Sequence, residues 1–258
     1  VREVCNDDED LAAFLQRSIG YALTGETGEQ CFFILFGVGA NGKSTFLETL
    51  TRHVIPEHSW TMAFPVNSWT ESLSGYQRAE LVGRRLVVAK ESEEAKRLNT
   101  EFVKSLTGGD TVNARHPYGR PFTFVPSAKF FLACNHRPII RDTTHGMWRR
   151  VRLVDFTRTF EPDDSLAVTL AAEAPGILAW AVRGVLAWRE DGLQPPANVL
   201  AATEDYQRES DTFLQFVEER CIVADYARTT AQQIWEAYEG FCADERIRDD
   251  ERLGRKAF

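Results

Sequence analysis

Short apolar runs alternate with amphipathic segments up to about residue 160 of the chain. Apolar runs bounded by turn residues predict β-strands, and apolar positions spaced three or four residues apart predict helices. The predicted strands cover residues 31–36, 60–64, 85–90, 129–134 and 150–156, and the predicted helices cover residues 8–24, 42–53, 76–82 and 99–106. Strands that alternate with helices favour an α/β fold with a central parallel sheet.

Two segments depart from this alternation. Residues 111–124 alternate between apolar and polar side chains around Pro117-Tyr118-Gly119, which predicts a β-hairpin inserted into the α/β fold. From about residue 163 onward the pattern is helical, with a linker at residues 192–196. We therefore divide the chain into an N-terminal helical segment (1–28), a core (29–160), a helical extension and linker (161–196), and a small helical C-terminal module (197–258). We expect this module to be truncated at its end, and a winged-helix arrangement is left open for it.

The stretch from Gly37 to Thr45 matches the phosphate-loop pattern G-x-x-x-x-G-K-[ST]. It follows a predicted strand directly and precedes a predicted helix, which is the context this motif requires. Lys43 is expected to reach the β- and γ-phosphates of a nucleotide, and the hydroxyl of Ser44 is expected to bind Mg²⁺. The predicted nucleotide-binding residues are Gly37, Gly39, Ala40, Asn41, Gly42, Lys43, Ser44 and Thr45.

Three further positions carry groups that ATP hydrolysis requires. Glu91 follows an apolar strand and can hold Mg²⁺ or polarise water, with Glu93 and Glu94 as alternatives. Asn135 ends the next strand, where its amide can donate to phosphate and accept from water. Arg149 or Arg150 can stabilise the transition state, including that of a neighbouring subunit.

The formal net charge of the chain is −8, which by itself weighs against a nucleic-acid partner. Residues 111–154, however, carry eight Lys and Arg residues and one acid, Asp142. A local basic segment in an acidic body suits a groove or channel for phosphates. The five cysteines are scattered without a C-x-x-C pair, which disfavours a zinc site or a disulfide framework.

Five blocks in a fixed order resemble a known family. They are Gly37 to Thr45, Leu86 to Glu91, Leu106 to Asp110 with Arg115, Ala133 to Pro138, and Trp148-Arg149-Arg150. The set resembles the superfamily 3 helicase domain of phage, plasmid and poxvirus-type primase-helicases. The resemblance covers about residues 10 to 160 and implies an AAA+-like P-loop ATPase that forms a ring, usually a hexamer, and translocates on single-stranded DNA.

The resemblance also implies roles for individual residues. Lys43 and Ser44 would bind ATP and Mg²⁺, Glu91 would be the strand-end acid, Asn135 the phosphate sensor, and Arg149 or Arg150 the arginine finger. The inserted hairpin would contact DNA, and its candidate residues are Arg115, His116, Tyr118 and Arg120. Charge and a stackable ring at the hairpin tip suit this role independently. Ser92 follows Glu91 where many members carry a second acid, so the catalytic base stays open.

Two other functions remain open at this stage. A small-molecule or nucleotide kinase also uses a phosphate loop, and a non-hydrolysing module could use ATP only for assembly. Apolar runs are too short to span a membrane, so we expect a soluble protein in the cytoplasm of a bacterial or phage-infected cell. The expected partners are single-stranded DNA, further copies of the chain, and a primase or other replication proteins.

Overall fold

The computed structural model describes residues 1–55, 61–64, 73–90, 97–249 and 251–255. Within them, seven strands form: β1 (Phe32–Phe36), β2 (Thr61–Phe64), β3 (Leu86–Lys90), β4 (Val112–Arg115), β5 (Pro121–Phe124), β6 (Lys129–Cys134) and β7 (Val151–Asp155). Five of them make one parallel sheet in the order β2-β3-β6-β1-β7, and β4 pairs antiparallel with β5. The α/β class, the parallel sheet and the inserted hairpin are thereby confirmed.

The same residues contain ten α-helices. They are α1 (Glu9–Leu23), α2 (Lys43–Thr49), α3 (Gly75–Ala79), α4 (Thr100–Thr107), α5 (His145–Trp148), α6 (Leu166–Ala172), α7 (Ala174–Asp191), α8 (Ala197–Ser210), α9 (Thr212–Arg220) and α10 (Ala231–Asp244). Helix α2 continues into a π-helical turn at Leu50–Val54. Helix α3 is shorter than predicted: the chain leaves the helix at Glu80, and Leu81 is buried in the core. The start of the predicted second strand, Trp60, lies outside the described residues.

Alternate residues of the interior strand β1 serve two core layers on opposite faces of the sheet. Phe33 and Leu35 pack with α1, α2 and α7, while Phe32 and Ile34 pack on the other face with α4, α8 and the base of the hairpin. Because side chains alternate across a strand, a strand buried on both faces reads as a continuous apolar run. This explains why β1 consists entirely of Phe, Ile and Leu.

The C-terminal helices α9 and α10 have a separate small core. Phe216, Tyr238, Phe241 and Cys242 are buried in it. Residues 197–249 and 251–255 form helices, turns and coil, with no strand among them. The helical prediction for this part is confirmed, whereas a winged-helix arrangement finds no support in the described residues.

No single helix among the described residues is long and apolar enough to cross a membrane. Only α6 and α7 taken together reach that length and composition, and they are bent by 65° at their junction.

Two glycines allow α1 and α7 to cross at close range. A Cβ atom added to Gly184 would lie 2.0 Å from the backbone oxygen of Gln16, and one added to Gly20 would lie 2.2 Å from the backbone carbon of Gly184. We expect Gly184→Ala to lower the free energy of unfolding by about 2 kcal/mol, because the helices must separate and disturb the core. Urea denaturation followed by circular dichroism measures this.

Gly240 in α10 provides the matched control, since among the described residues no atom beyond its chain neighbours and its own helix backbone lies within 4 Å of the position of its missing Cβ. Gly240→Ala is expected to raise the free energy of unfolding by about 0.5–1 kcal/mol through helix propensity. An unchanged or higher urea midpoint for Gly184→Ala would contradict the close crossing.

Lys129 is a buried cation at the start of β6. Its side chain is 2% exposed, and its Nζ donates to the backbone oxygens of Thr24 (2.5 Å) and Ser127 (3.0 Å) and lies 4.6 Å from the centre of the Tyr21 ring. Burial, with a smaller contribution from the nearby Arg85, lowers the pKa of Lys129 to about 7. The ordinary pKa of lysine is 10.5, so above pH 7 the unfolded chain binds more protons here than the folded chain.

The free energy of unfolding is therefore expected to rise by on the order of 1 kcal/mol between pH 7 and about pH 8.5. Urea midpoints at a series of pH values test this, and Lys129→Met should remove the rise. Equal pH dependence in the wild type and in Lys129→Met would contradict a depressed pKa for Lys129.

Candidate functional site

The predicted phosphate loop lies at the carboxyl end of β1, an interior strand between β6 and β7. Gly42 has φ of +81°, a conformation in which glycine avoids a steric cost. A Cβ atom on Gly37 would lie 2.1 Å from Nδ2 of Asn41 and 2.5 Å from the backbone oxygen of Phe156. Gly37 is therefore required by close packing and Gly42 by backbone conformation. Ligands of parallel α/β sheets bind outside the carboxyl ends of the strands, where this loop lies.

The segment after β7 holds the loop in place. The backbone N–H of Phe160 donates to the backbone oxygen of Ala40 (2.8 Å), and Nδ2 of Asn41 donates to the backbone oxygen of Phe156 (3.2 Å). On the other side, the N–H of Gly37 donates to the backbone oxygen of Cys134 at the end of β6 (3.3 Å). The loop is thus fixed by both strands that flank β1.

Lys43 is buried within the loop, and its hydrogen-bond acceptors among the described residues are all neutral. Its residue is 5% exposed, and its Nζ donates to the backbone oxygen of Gly37 (2.6 Å), Oδ1 of Asn41 (2.6 Å) and Oδ1 of Asn135 (3.3 Å). Burial lowers the pKa of Lys43, because desolvation disfavours the ammonium form. Because neutral oxygens do not compensate the charge of the ammonium, this charge is available to an anion.

The structure brings together two residues that are 92 positions apart in the sequence. Asn135 follows β6 directly, and β6 pairs with β1 so that Cys134 lies opposite Phe36. Asn135 is exposed and accepts a hydrogen bond from Lys43. The predicted role of Asn135 as a phosphate sensor requires it to lie this close to Lys43. Ser44 and Thr45 form the first turn of α2, and Ser44 is exposed.

The acidic part of the predicted site lies outside the described residues, since Glu91, Glu93 and Glu94 fall within residues 91–96. The strand before them is described: β3 ends at Lys90, which lies opposite Ala133 of β6. The ammonium of Lys90 contacts the Glu48 carboxylate of α2, and this contact lowers the pKa of Glu48.

Arg149 and Arg150 lie at the amino ends of the strands, whereas the phosphate loop lies at the carboxyl ends. They precede β7, whose first residue Val151 lies opposite Phe32 at the beginning of β1, whereas the loop follows the end of β1. A strand of five residues separates these two ends of the sheet by roughly 16 Å. Neither arginine serves the phosphate loop of its own chain in this arrangement.

The two arginines have different surroundings. Arg150 is 9% exposed, its Nε donates to Oγ1 of Thr107 (3.2 Å), and its Nη1 donates to the backbone oxygen of Gly146. Arg149 is exposed, and its Nη2 donates to Oε1 of Gln30 (2.6 Å). Of this pair, Arg149 is therefore the guanidinium that a second molecule can reach.

The hairpin exposes the four side chains predicted to contact nucleic acid. Tyr118 at the tip is fully exposed and has φ of +59°. Arg115 and Arg120 are exposed on either side of it, and His116 stacks on Phe122 with ring centres 5.0 Å apart. Nε of Arg115 donates to the backbone oxygen of Gly119 (3.0 Å), which closes the tip. Two cations and a free aromatic ring are thus presented together to solvent.

Arg137 is a residue of this site to which the sequence pattern assigned no role. Its guanidinium lies over the ring of Phe36 (4.9 Å) directly before the phosphate loop, and its Nη1 donates to Oε2 of Glu209 in α8 (2.6 Å). Its Nη2 lies 4.0 Å from Oδ1 of Asp155, and burial raises the pKa of Asp155. Arg137 therefore joins α8 to the carboxyl edge of the sheet. The sequence offered one signal for Arg137, which is its position two residues after Asn135. Its partner Glu209 lies 72 positions further along the chain, so the contact could not be predicted from local pattern.

Comparison with known proteins is consistent with this site. Residues 35–150 match a family of unknown function, DUF5906. This range begins just before the phosphate loop and ends at Arg150, so it spans the five blocks identified in the sequence.

Three viral proteins are related to most of the chain. It is 28% identical over 241 residues to "Putative helicase L207/L206" of Acanthamoeba polyphaga mimivirus and 29% identical over 238 residues to "Putative helicase 022R" of Frog virus 3. It is 26% identical over 228 residues to "Putative primase C962R" of African swine fever virus. These alignments cover 84%, 82% and 78% of this chain but only 25%, 24% and 23% of the relatives. The chain thus spans about a quarter of the length of proteins named for enzymes that act on nucleic acids.

A solved structure shares the fold. The apo structure of the NrS-1 C terminal region (305-718) superposes with a TM-score of 0.62 at 13% sequence identity, covering 93% of this chain and 60% of that one.

Proposed function

We propose that this chain is the ATP-hydrolysing motor of a replicative DNA helicase of the superfamily 3, AAA+-like type. In this proposal it acts as a ring, of six copies in the usual form, and translocates on single-stranded DNA as the helicase portion of a primase-helicase. The names of the viral relatives support the nucleic-acid part of the proposal. The geometry of the phosphate loop supports the nucleotide part.

The observation that carries the proposal is the buried Lys43 ammonium, whose acceptors within the described part of the chain, Asn135 among them, are all neutral. A buried cation without a carboxylate is costly unless an anion joins it. The triphosphate of ATP meets this need, since its γ-phosphate can accept from Lys43 and from the amide of Asn135 together. Lys129 is also buried among neutral oxygens, so the phosphate-loop motif and the contact with Asn135 are what distinguish Lys43 as a ligand of an anion.

The residues of the loop suggest how hydrolysis proceeds. Lys43 turns from its loop acceptors to the β- and γ-phosphates, and Asn135 orients a water for in-line attack on the γ-phosphorus. A bond forms from the water oxygen to this phosphorus as the bond to the bridging oxygen of ADP breaks, the water loses a proton to solvent, and ADP and phosphate leave. Ser44 and Glu91 would hold Mg²⁺, which when bound neutralises charge on the phosphates.

The position of Arg149 supports a shared active site. An exposed guanidinium at the amino edge of the sheet cannot reach the loop of its own chain, but it can meet the carboxyl edge of a neighbouring subunit. Head-to-tail contacts of this kind close into rings when the rotation between subunits permits. Assembly and hydrolysis are therefore linked in the proposal.

Single-stranded DNA should stimulate ATP hydrolysis, and this measurement tests the proposed function. A kinase would need a phosphate acceptor instead, and an assembly module would turn over almost no ATP. The particle mass measured with and without ATP and DNA, beside the hydrolysis rate, tests the ring. Full activity in demonstrably monomeric protein would contradict a shared site.

The hairpin yields a separate prediction. We expect Arg115→Ala combined with His116→Ala to weaken binding of single-stranded DNA by about tenfold or more near 0.1 M salt and to reduce its salt dependence, because phosphate contacts are lost in every subunit. Fluorescence anisotropy across a salt series measures both. Arg183→Ala is the matched control, since it removes one exposed positive charge from α7 instead. Unchanged DNA affinity in the double variant would show that these hairpin residues do not contact the DNA.

A further inference from the structure

We propose that Gln30 is a positioning residue that holds Arg149 for the neighbouring active site and ties it to the base of the hairpin. The inference rests on the proposed function. Oε1 of Gln30 accepts from Nη2 of Arg149 (2.6 Å), and Nε2 of Gln30 donates to the backbone oxygen of Gly108 (3.2 Å). Both ends of one amide are therefore occupied by two separate parts of the chain.

The backbone fixes Gln30 beside Arg149. Gln30 has φ of +47°, which is uncommon for a residue other than glycine, and its N–H donates to the backbone oxygen of Thr27 (3.1 Å). Two residues later, the N–H of Phe32 donates to the backbone oxygen of Arg150 (2.9 Å). The strained turn is held by strand pairing, which aims the amide at the guanidinium. Unusual backbone conformations of this kind are a reason to look for function.

An amide suits this position better than a carboxylate. The neutral oxygen of Gln30 orients the guanidinium while leaving its charge available for an incoming phosphate. A carboxylate in its place would form an ion pair, which competes with the phosphate for Arg149. Holding a long, exposed side chain in one direction also reduces the entropy lost when it enters the neighbouring site.

The second contact connects Arg149 to the proposed DNA path. Gly108 directly follows α4, and after Gly109, Asp110 and Thr111 the chain enters β4 of the hairpin. A displacement of the hairpin base that moves Gly108 therefore acts on the Gln30 amide, and through it on Arg149. Gln30 thus provides a direct path by which DNA at the hairpin affects hydrolysis in the next subunit.

Mixed rings separate this role from a merely structural one. A Lys43→Ala subunit cannot hydrolyse ATP but supplies Arg149, whereas an Arg149→Ala subunit keeps its loop but supplies no arginine. Mixing the two purified full chains should restore ATP hydrolysis, since the loops of the second variant then receive Arg149 from the first.

Gln30→Met is then added to one subunit type at a time. On the Lys43→Ala subunit it should lower the restored rate by about tenfold without changing KM for ATP, because it releases the only arginine in use. On the Arg149→Ala subunit it should leave the restored rate unchanged, because no arginine is left there to position. Gln30→Glu placed in the same two ways should give the same asymmetry, and it serves if Gln30→Met does not fold.

The outcomes are distinct. An equal loss in both placements would overturn the proposal and assign Gln30 a structural role, and no loss in either placement would also overturn it. Failure of the parent mixture to recover any hydrolysis would overturn the shared active site, and the role of Gln30 with it.

Discussion

Lys43→Ala is expected to lower the rate of ATP hydrolysis by about 10³-fold while leaving the folded protein as stable as the wild type. Removing one preorganised donor to transition-state charge has effects of this size. The effect on stability follows from the surroundings of Lys43. Its ammonium is buried among neutral oxygens, so folding bears a desolvation cost that alanine does not have.

This combination distinguishes a functional lysine from a structural one. A lysine that stabilised the fold through an ion pair would lower the urea midpoint when removed. ATP hydrolysis by phosphate release and urea denaturation by circular dichroism give the two readouts. Arg52→Ala is the matched control on the same helical segment, where Arg52 lies 3.7 Å from Glu48 at the surface. It should change neither quantity appreciably, because exposed ion pairs contribute little.

Retained hydrolysis in Lys43→Ala would contradict the assignment of the phosphate loop. A large loss of stability would instead indicate that Lys43 serves the fold. Lys43→Arg extends the test: the charge is kept, but a planar guanidinium is too large for the three acceptors that surround a compact ammonium. We expect it to be nearly as inactive as Lys43→Ala.

Arg149→Ala and Arg150→Ala are expected to fail in different ways although the residues are adjacent. Arg149→Ala should bind ATP normally and lose about 10³-fold or more in hydrolysis, as expected when an arginine that stabilises transferring phosphate is removed. Its exposure and its contact with Gln30 predict little effect on stability.

Arg150→Ala is expected mainly to lower the stability of the folded protein. Arg150 is buried, and its removal leaves Oγ1 of Thr107 and the backbone oxygen of Gly146 without this donor. We expect the free energy of unfolding to fall by about 2–3 kcal/mol. Binding of a fluorescent ATP analogue, the hydrolysis rate and urea midpoints separate the two variants. Normal hydrolysis in Arg149→Ala would exclude it as the arginine that completes the site.

Local features of the fold were predictable because their signals lie within a few consecutive residues. Apolar runs identified β1, β3 and β6, and alternation around Pro117-Tyr118-Gly119 identified the hairpin. The boundaries were less accurate where packing intervenes. The helix predicted at 76–82 ends at Ala79, because Leu81 turns into the core and Gly83 adopts φ of +75° on the way to β3.

The order of strands in the sheet could not be derived from these patterns. β1 lies between β6 and β7, which follow it by more than ninety residues, and this placement brings Asn135 to Lys43. Hydrophobic periodicity specifies which face of a strand is buried, but not which strand becomes its neighbour.

By itself, the sequence predicted the phosphate loop and determined the strand that precedes it and the basic hairpin, because each depends on contiguous residues whose chemistry is local. The tertiary structure decided that the described acceptors of Lys43 are all neutral, that Arg149 and not Arg150 is exposed, and that Arg149 lies at the end of the strands away from the loop. It also brought Gln30 into contact with Arg149, and Arg137 into contact with Glu209 of α8. These features depend on strand register and on side-chain burial, and both are set by contacts between residues far apart in the chain.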